Sequence, residues 1–300
     1  MRTLSKRLLA LAAAVLSPAA AALNIFACEP EWAALATELA GPQASVTSAT
    51  TAQQDVHHLE ARPSLIARLR GADLLICTGL ELESGWLPLL LQRAANPRVL
   101  PGQPGHVEAG LWVPRLDVPQ RLDRRDGDVH AAGNPHIQLD PRNIQRVAEG
   151  LTQRLSQIDP ANAARYQARL QDFSQRWQAA QQRWQQQAQP LRGVAVVTHH
   201  KDMSYLLNWL GMSSVGTLEP KPGVEPSGAH LQALLGQLKQ TPARLVLRTP
   251  FQSERPSVWL AEKARLTPLQ LPFTVGGAEQ AQDLFGLFEV TLQRLLAGLK

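Results

Sequence analysis

The sequence predicts an α/β protein of two lobes, each a parallel-type sheet covered by helices, joined by one long rigid helix and separated by a cleft that holds the binding site. Three observations carry this reading. Short apolar runs alternate with helix-like stretches over residues 23–101, and the same alternation restarts after Pro190. Between the two series lies a stretch from Ala161 to Gln189 with no Gly or Pro and a helical apolar stripe. The resulting division is 1–22 as a leader, 23–158 as a first lobe, 159–190 as the linking helix and 191–300 as a second lobe.

Taken in order, residues 1–22 read as a secretory signal. Arg2, Lys6 and Arg7 precede an apolar stretch over residues 8–16, and Ala20-Ala21-Ala22 satisfies the small-residue cleavage rule. As an uncleaved anchor the apolar stretch is too short to span a bilayer comfortably. Lipidation at Cys28 fits less well, because Phe26 is bulky and residues 23–27 read as a strand that the fold needs. Of 30 Lys and Arg, three lie in this leader, leaving 27 basic against 25 acidic residues, a near-balance with no basic stripe for nucleic acid. With 44% hydrophobic and 18% charged residues the chain is globular, and it has no internal run long enough to cross a membrane.

In the first lobe LNIFAC (23–28), SVTSAT (45–50) and ADLLICTG (72–79) are strands, and PRVLP (97–101) is a candidate fourth. EWAALATELAG, PSLIARLRGA and ESGWLPLLLQRAA are the helices between and after them, the first two ending near Gly41 and Gly71. Cys28 and Cys77 each end an apolar run. On neighbouring parallel strands their thiols lie at matching ends, and export favours a disulfide over two buried thiols. Residues 102–135, rich in Gly, Pro and Asp, read as a long loop. Asp140-Pro141 then opens a helix running to about Gln157, with Pro in the favoured first turn.

Tyr166, Leu170, Phe173, Trp177 and Trp184 form one face of the linking helix, which at thirty residues would span about 45 Å. In the second lobe VAVVTHH, SSVGTLEP, ARLVLRTP and LTPLQLPF alternate as strands with helices at YLLNWLGM, AHLQALLGQLKQ and SVWLAEKA. DLFGLFEVTLQRLLAGL closes the chain as a helix.

All eight histidines follow the leader: His57, His58, His106, His130, His136, His199, His200 and His230. In open parallel sheets ligands bind outside the carboxyl ends of strands. The pairs His57-His58 and His199-His200, with His136 at the exit of the long loop, therefore place imidazoles from both lobes near one crevice. Three neutral imidazoles suit Zn²⁺. No G-x-S-x-G elbow, H-E-x-x-H helix, P-loop or dinucleotide turn is present, so the chain offers metal ligands without an obvious reaction.

Four segments carry a resemblance. Asp55-Val56-His57-His58-Leu59-Glu60-Ala61-Arg62-Pro63-Ser64, Asn134-Pro135-His136 through Asn143, Thr198-His199-His200 through Tyr205, and Glu225-Pro226-Ser227 are similar to motifs of one family. It is that of the periplasmic solute-binding proteins of ABC-type zinc and manganese importers, and the similarity runs over essentially the whole mature chain. It implies His57, His136 and His200 as metal ligands and a Zn²⁺ cargo, with Mn²⁺ less favoured. It also implies an inner-membrane ABC permease as partner and a periplasmic, monomeric binding protein that is not an enzyme.

Three departures stand out. Leu59 replaces an aromatic, and Lys201-Asp202 replaces Asp-Ala. Residues 271–277 lack the Asp that many members supply as a fourth ligand, which leaves water, Glu60 or Glu219 for that position. His58 and His199 read as spectators pointing away from the site, and His106 and His230 as surface residues. His130, with Asp126 and Asp128, reads as a thin version of a metal-capturing loop. A secreted three-histidine zinc hydrolase with Glu60, Asp202 or Glu219 as base, a metal-carrying chaperone or adhesin, and an organic-solute binder are the alternatives. The continuous helix implies modest shifts on metal capture rather than wide closure. Affinity should fall as pH drops through the imidazole range near 6.5, about the free value.

Overall fold

The computed structural model describes residues 22–121, 127 and 129–300. The proposed leader, apart from Ala22, and the loop residues Asp126 and Asp128 lie outside the described residues. No helix among those described is long and apolar enough to cross a membrane.

The first sheet contains β1 (Asn24–Ala27), β2 (Ser45–Ser48), β3 (Leu74–Cys77) and β4 (His106–Glu108), all parallel, in the order β2-β1-β3-β4. Helices α1 (Pro30–Ala40), α2 (Pro63–Arg70) and α3 (Leu87–Ala94) accompany it. The two central strands, β1 and β3, are short apolar runs because both their faces are covered. Ile25 and Ala27 face the central core, while Phe26 and Cys28 face a second cluster with Leu75 and Trp86. The register pairs Ala27 with Ile76. Cys28 and Cys77 are therefore the next neighbours, 4.8 Å apart at their Cα atoms, and they form the expected disulfide.

The fourth strand is not PRVLP. Pro97–Val99 is a turn of 3-10 helix, because Asn96 accepts from the Arg98 amide and donates to the Leu69 and Ala72 carbonyls. The edge strand is the three-residue β4, inside the segment read from sequence as loop. It is held by pairing with β3, and Gly105 there packs so tightly that a Cβ would lie 2.5 Å from two carbonyl oxygens.

Asp140 caps α4 (Pro141–Ile158) by accepting from the Arg142 amide at 2.8 Å, with Pro141 in the first turn as expected. The linking helix α5 (Ala163–Gln187) has 25 residues, fewer than the thirty expected. Single turns of 3-10 helix containing Pro160 and Pro190 flank it. Its stripe is buried as the spacing demanded at Tyr166, Phe173, Trp177 and Trp184, while Leu170 is half-buried. Trp177 stacks on Phe173 and meets Trp184, Phe285 and Phe288 edge-on or tilted, and its indole N–H donates to the Pro141 carbonyl.

The second sheet has β5 (Ala195–Thr198), β6 (Ser213–Thr217), β7 (Leu245–Arg248) and β8 (Thr267–Gln270), also all parallel, in the order β6-β5-β7-β8. Helices α6 (Ser204–Leu210), α7 (Gly228–Leu238), α8 (Arg255–Ala264) and α9 (Leu284–Ala297) cover it. One continuous apolar core joins the halves, running from Ile25 and Trp32 through Trp177 and Trp184 to Leu245 and Phe288. The helix bridges the lobes as part of that shared core, which fixes how their strand ends face each other.

Candidate metal centre

His57 lies in the turn-rich connection after β2. Asp55 shapes it: Oδ1 accepts from the His57 backbone N–H at 3.0 Å and lies 2.7 Å from Nδ1. Trp86 ties the loop down by donating to the Val56 carbonyl, and Gly85 packs where a Cβ would lie 3.1 Å from the His57 carbonyl. With Nδ1 held by the carboxylate, Nε2 is left buried with no partner among the described residues.

His136 stands just ahead of α4 and is buried. Asn134 Oδ1 accepts from its backbone N–H at 3.0 Å. Both its ring nitrogens are buried without a partner among the described residues. Burial, followed by the neighbouring imidazoles of His57, His200 and His130, holds it well below the usual histidine range. It is therefore neutral, the form that can ligate a metal.

His200 follows β5. Glu219 Oε2 lies 2.7 Å from its Nδ1 and also accepts from the Gly223 amide at 2.9 Å. Burial pulls His200 down, but the hydrogen bond to Glu219 and the charges of Asp202, Glu219 and Asp55 outweigh it and raise the imidazole.

The three rings converge. Their centroids are 5.4 Å (His57 to His136), 6.0 Å (His57 to His200) and 5.8 Å (His136 to His200) apart. One nitrogen from each lies within 4.8 Å of the others. They line a cavity of about 150 Å³ between the two lobes. The donor set suits a borderline-soft divalent ion, and the carboxylates on Nδ1 of His57 and His200 fix tautomer and ring direction.

The candidates for a fourth ligand fare differently. Glu60 is exposed and absent from the cavity wall, and Glu219 Oε2 is engaged by His200 and Gly223. After β8, where the resemblance led one to look for an Asp, Phe273 instead lays its ring 5.3 Å from that of His136.

His58 is exposed, with its ring 6.3 Å from that of His57. His199, expected to point away from its neighbour, lines the same cavity with Nε2 3.9 Å from Glu219. The backbone bends there, so the alternation of an extended strand does not apply. His130 sits with its ring 5.5 Å from that of His57. His106 and His230, read as surface residues, are half-buried and bond the Val99 and Thr217 carbonyls. Sequence reasoning did not assign the orienting roles of Asp55, Asn134 and Glu219. The Asp two residues before His57 was visible as an Asx-turn signal; the others had no local signal.

A sequence profile of the family described as ZnuA, zinc-uptake complex component A, periplasmic, matches residues 25–298. The chain belongs to the ZnuA family. The high-affinity zinc uptake system protein ZnuA of Yersinia pestis is 25% identical over 65% of this chain and 65% of its own length, just under two thirds. The metal ABC transporter substrate-binding lipoprotein ScbA of Streptococcus cristatus is 21% identical over 92% of this chain and 89% of that protein. In three dimensions a crystal structure of ZnuA superposes with a TM-score of 0.78 at 21% identity, covering 93% of this chain and all of the other. A Mn-bound periplasmic metal binding protein from Candidatus Liberibacter asiaticus gives 0.74 at 17% identity, over 92% of this chain and 99% of that one. These ZnuA-like structures share the fold of two parallel sheets covered by helices. The relatives are substrate-binding components of importers, not enzymes, which sets aside the zinc-hydrolase alternative.

Proposed function

We propose that this ZnuA-family protein is the metal-binding component of an ABC-type importer and that its cargo is Zn²⁺. His57, His136 and His200 are the ligands in this reading, and water completes the coordination. The convergence of the three imidazoles within 4.8 Å carries it. Relatives of both zinc and manganese type are known, so the choice of cargo rests on the donors. Three nitrogens with no carboxylate in the converging set suit Zn²⁺ better than the harder, oxygen-seeking Mn²⁺.

Delivery follows to an inner-membrane permease, with ATP used by the transporter rather than by this chain. The proposed site of work is the periplasm. Cys28 spends its sulfur on Cys77, which leaves no bond there for a lipid and favours a freely exported protein. Because α5 contributes to one core shared by both lobes, capture proceeds by small loop shifts rather than wide hinge closure.

The test is metal analysis of protein purified from the periplasm, paired with His200→Ala and with competition of Zn²⁺ against Mn²⁺. Zinc in the native protein and its loss in the variant are expected. Equal metal content in both would remove His200 from the site, and a preference for Mn²⁺ would overturn the cargo. Zinc-dependent growth loss on deletion separates import from a chaperone or adhesin role.

A further inference from the structure

Four carboxylates line the cavity of the three imidazoles: Asp55, Asp202, Glu219 and Glu225. Asp55 and Glu219 are engaged with His57 and His200, and Glu225 is exposed. Asp202 differs from all three. It is 2% exposed, and its two oxygens have unequal surroundings. Oδ2 accepts from Gln252 Nε2 at 2.8 Å, and Gln252 is itself held by the Thr249 amide at 2.9 Å. Oδ1 is buried with no donor among the described residues. A buried carboxylate oxygen without a donor is costly, so its persistence beside a cation-binding cavity calls for a partner that arrives with the ligand. Yet Asp202 is not in the set whose donor atoms converge within 4.8 Å. It stands beyond direct ligation.

We infer that Asp202 is the positioning residue of the fourth coordination place, its Oδ1 accepting a hydrogen bond from the water that completes the shell of the ion held by His57, His136 and His200. This rests on the metal-binding reading above and deepens it. Of the positions where this chain departs from its family's pattern, Lys201-Asp202 is the one that puts an acid into the wall of the site. Phe273 packs against His136 on the side where an acidic ligand was sought, and Asp202 supplies negative charge from the end of another strand of the same lobe instead. Gln252 sets the rotamer, leaving Oδ1 as the acceptor. The charged and titratable groups around it are His200 and Glu219, with His57, Asp55, His136 and His199 lining the same cavity.

The experiment uses the full mature chain with Asp202→Asn, which keeps the shape and the Gln252 contact but removes the anion. Zinc affinity is measured by chelator competition, and the Co²⁺-loaded protein is followed by d–d absorption across pH. Loss of about ten- to a hundredfold in affinity is expected, as for other orienting partners of a metal shell. The Co²⁺ spectral transition should also move to lower pH, because a nearby anion opposes loss of a proton from bound water. A purely structural role for Asp202 would not move that transition. If Asp202→Asn does not fold, Asp202→Ser is read the same way. Affinity within roughly twofold of native, well inside the range for such partners, with superimposable spectra would overturn the inference. His200→Ala separates the levels: loss of metal there with an unaffected Asp202→Asn sinks this inference alone, whereas retention of metal sinks the underlying reading.

Discussion

The side-chain amide of Asn134 donates to the backbone carbonyl of Lys201 at 2.7 Å. This one bond ties the loop carrying His136 to the loop carrying His200. The same amide reaches Asp117, and Asn134 Oδ1 holds the His136 backbone. The Tyr205 hydroxyl lies 3.1 Å from the Asn134 carbonyl and accepts from the Leu116 amide at 3.1 Å. Two of the three imidazoles are thus positioned by a hydrogen-bond network across the lobes.

Asn134→Ala should therefore weaken zinc binding by about tenfold, the effect of a lost orienting partner. The metal-free fold should lose only about 1 kcal/mol, the typical net worth of a hydrogen bond. Titration and denaturant unfolding of the same sample check both, and native zinc affinity in the variant would argue against a positioning role.

Glu219→Gln tests the tautomer argument. The amide can offer an oxygen to Nδ1–H but no charge, so His200 should lose the support that raises it, with zinc affinity falling about ten- to a hundredfold. Asp55→Asn should act in the same direction through His57. Competition titration at fixed pH reads both variants, and native affinity in either would refute the orienting role assigned to that carboxylate.

The buried acids Glu29, Glu31 and Glu83 should take stability from the metal-free protein as pH rises from about 4.5 to about 7, against the opposite contribution of His136, which burial holds below its usual range. Glu31 and Glu83 are pushed up to about 7 by burial, and Glu29 is raised well above its usual range by burial, then by Glu83 and Glu31. At these three carboxyls the folded state holds more protons than the unfolded chain in that window, so their contribution is complete below about 4.5 and is lost as pH climbs through the folded values. The contribution is on the order of a few kcal/mol, from one pKa unit being worth about 1.4 kcal/mol. Glu83→Gln should flatten the slope in denaturant titrations from pH 4.5 to 8, and an unchanged slope would show that the cluster does not govern it. Metal loading runs the other way, because acid protonates the ligands. Metal binding should gain from a rise in pH where the three acids lose their contribution.

Reducing the Cys28–Cys77 bond, or replacing both residues by Ala, should lower stability by up to about 4 kcal/mol, the loop-closure value for a separation of 49 residues. The measurement is the unfolding midpoint with and without reductant. Zinc stoichiometry should stay the same, since the bond lies at the ends of β1 and β3 and contributes no donor to the imidazole cluster.

The sequence by itself determined most of the architecture. Alternating apolar runs and helix stripes are local signals, and strands buried on both faces cannot hide them. Tyr166, Phe173, Trp177 and Trp184 announced a buried helix face for the same reason. The resemblance of four segments to a known family singled out His57, His136 and His200 from eight histidines. What only the tertiary structure decided depends on residues distant in the chain. The strand β4 has three residues and exists because β3 offers it a ladder. Asn96 turns PRVLP into a 3-10 turn by reaching back to carbonyls more than twenty residues earlier. His199 faces the cavity because the backbone bends after β5, and Glu219 reaches His200 because β5 and β6 are paired. Periodicity reports which face of an element is buried. It carries no information on which atom of a distant loop a side chain will meet, and a coordination site is built from such meetings.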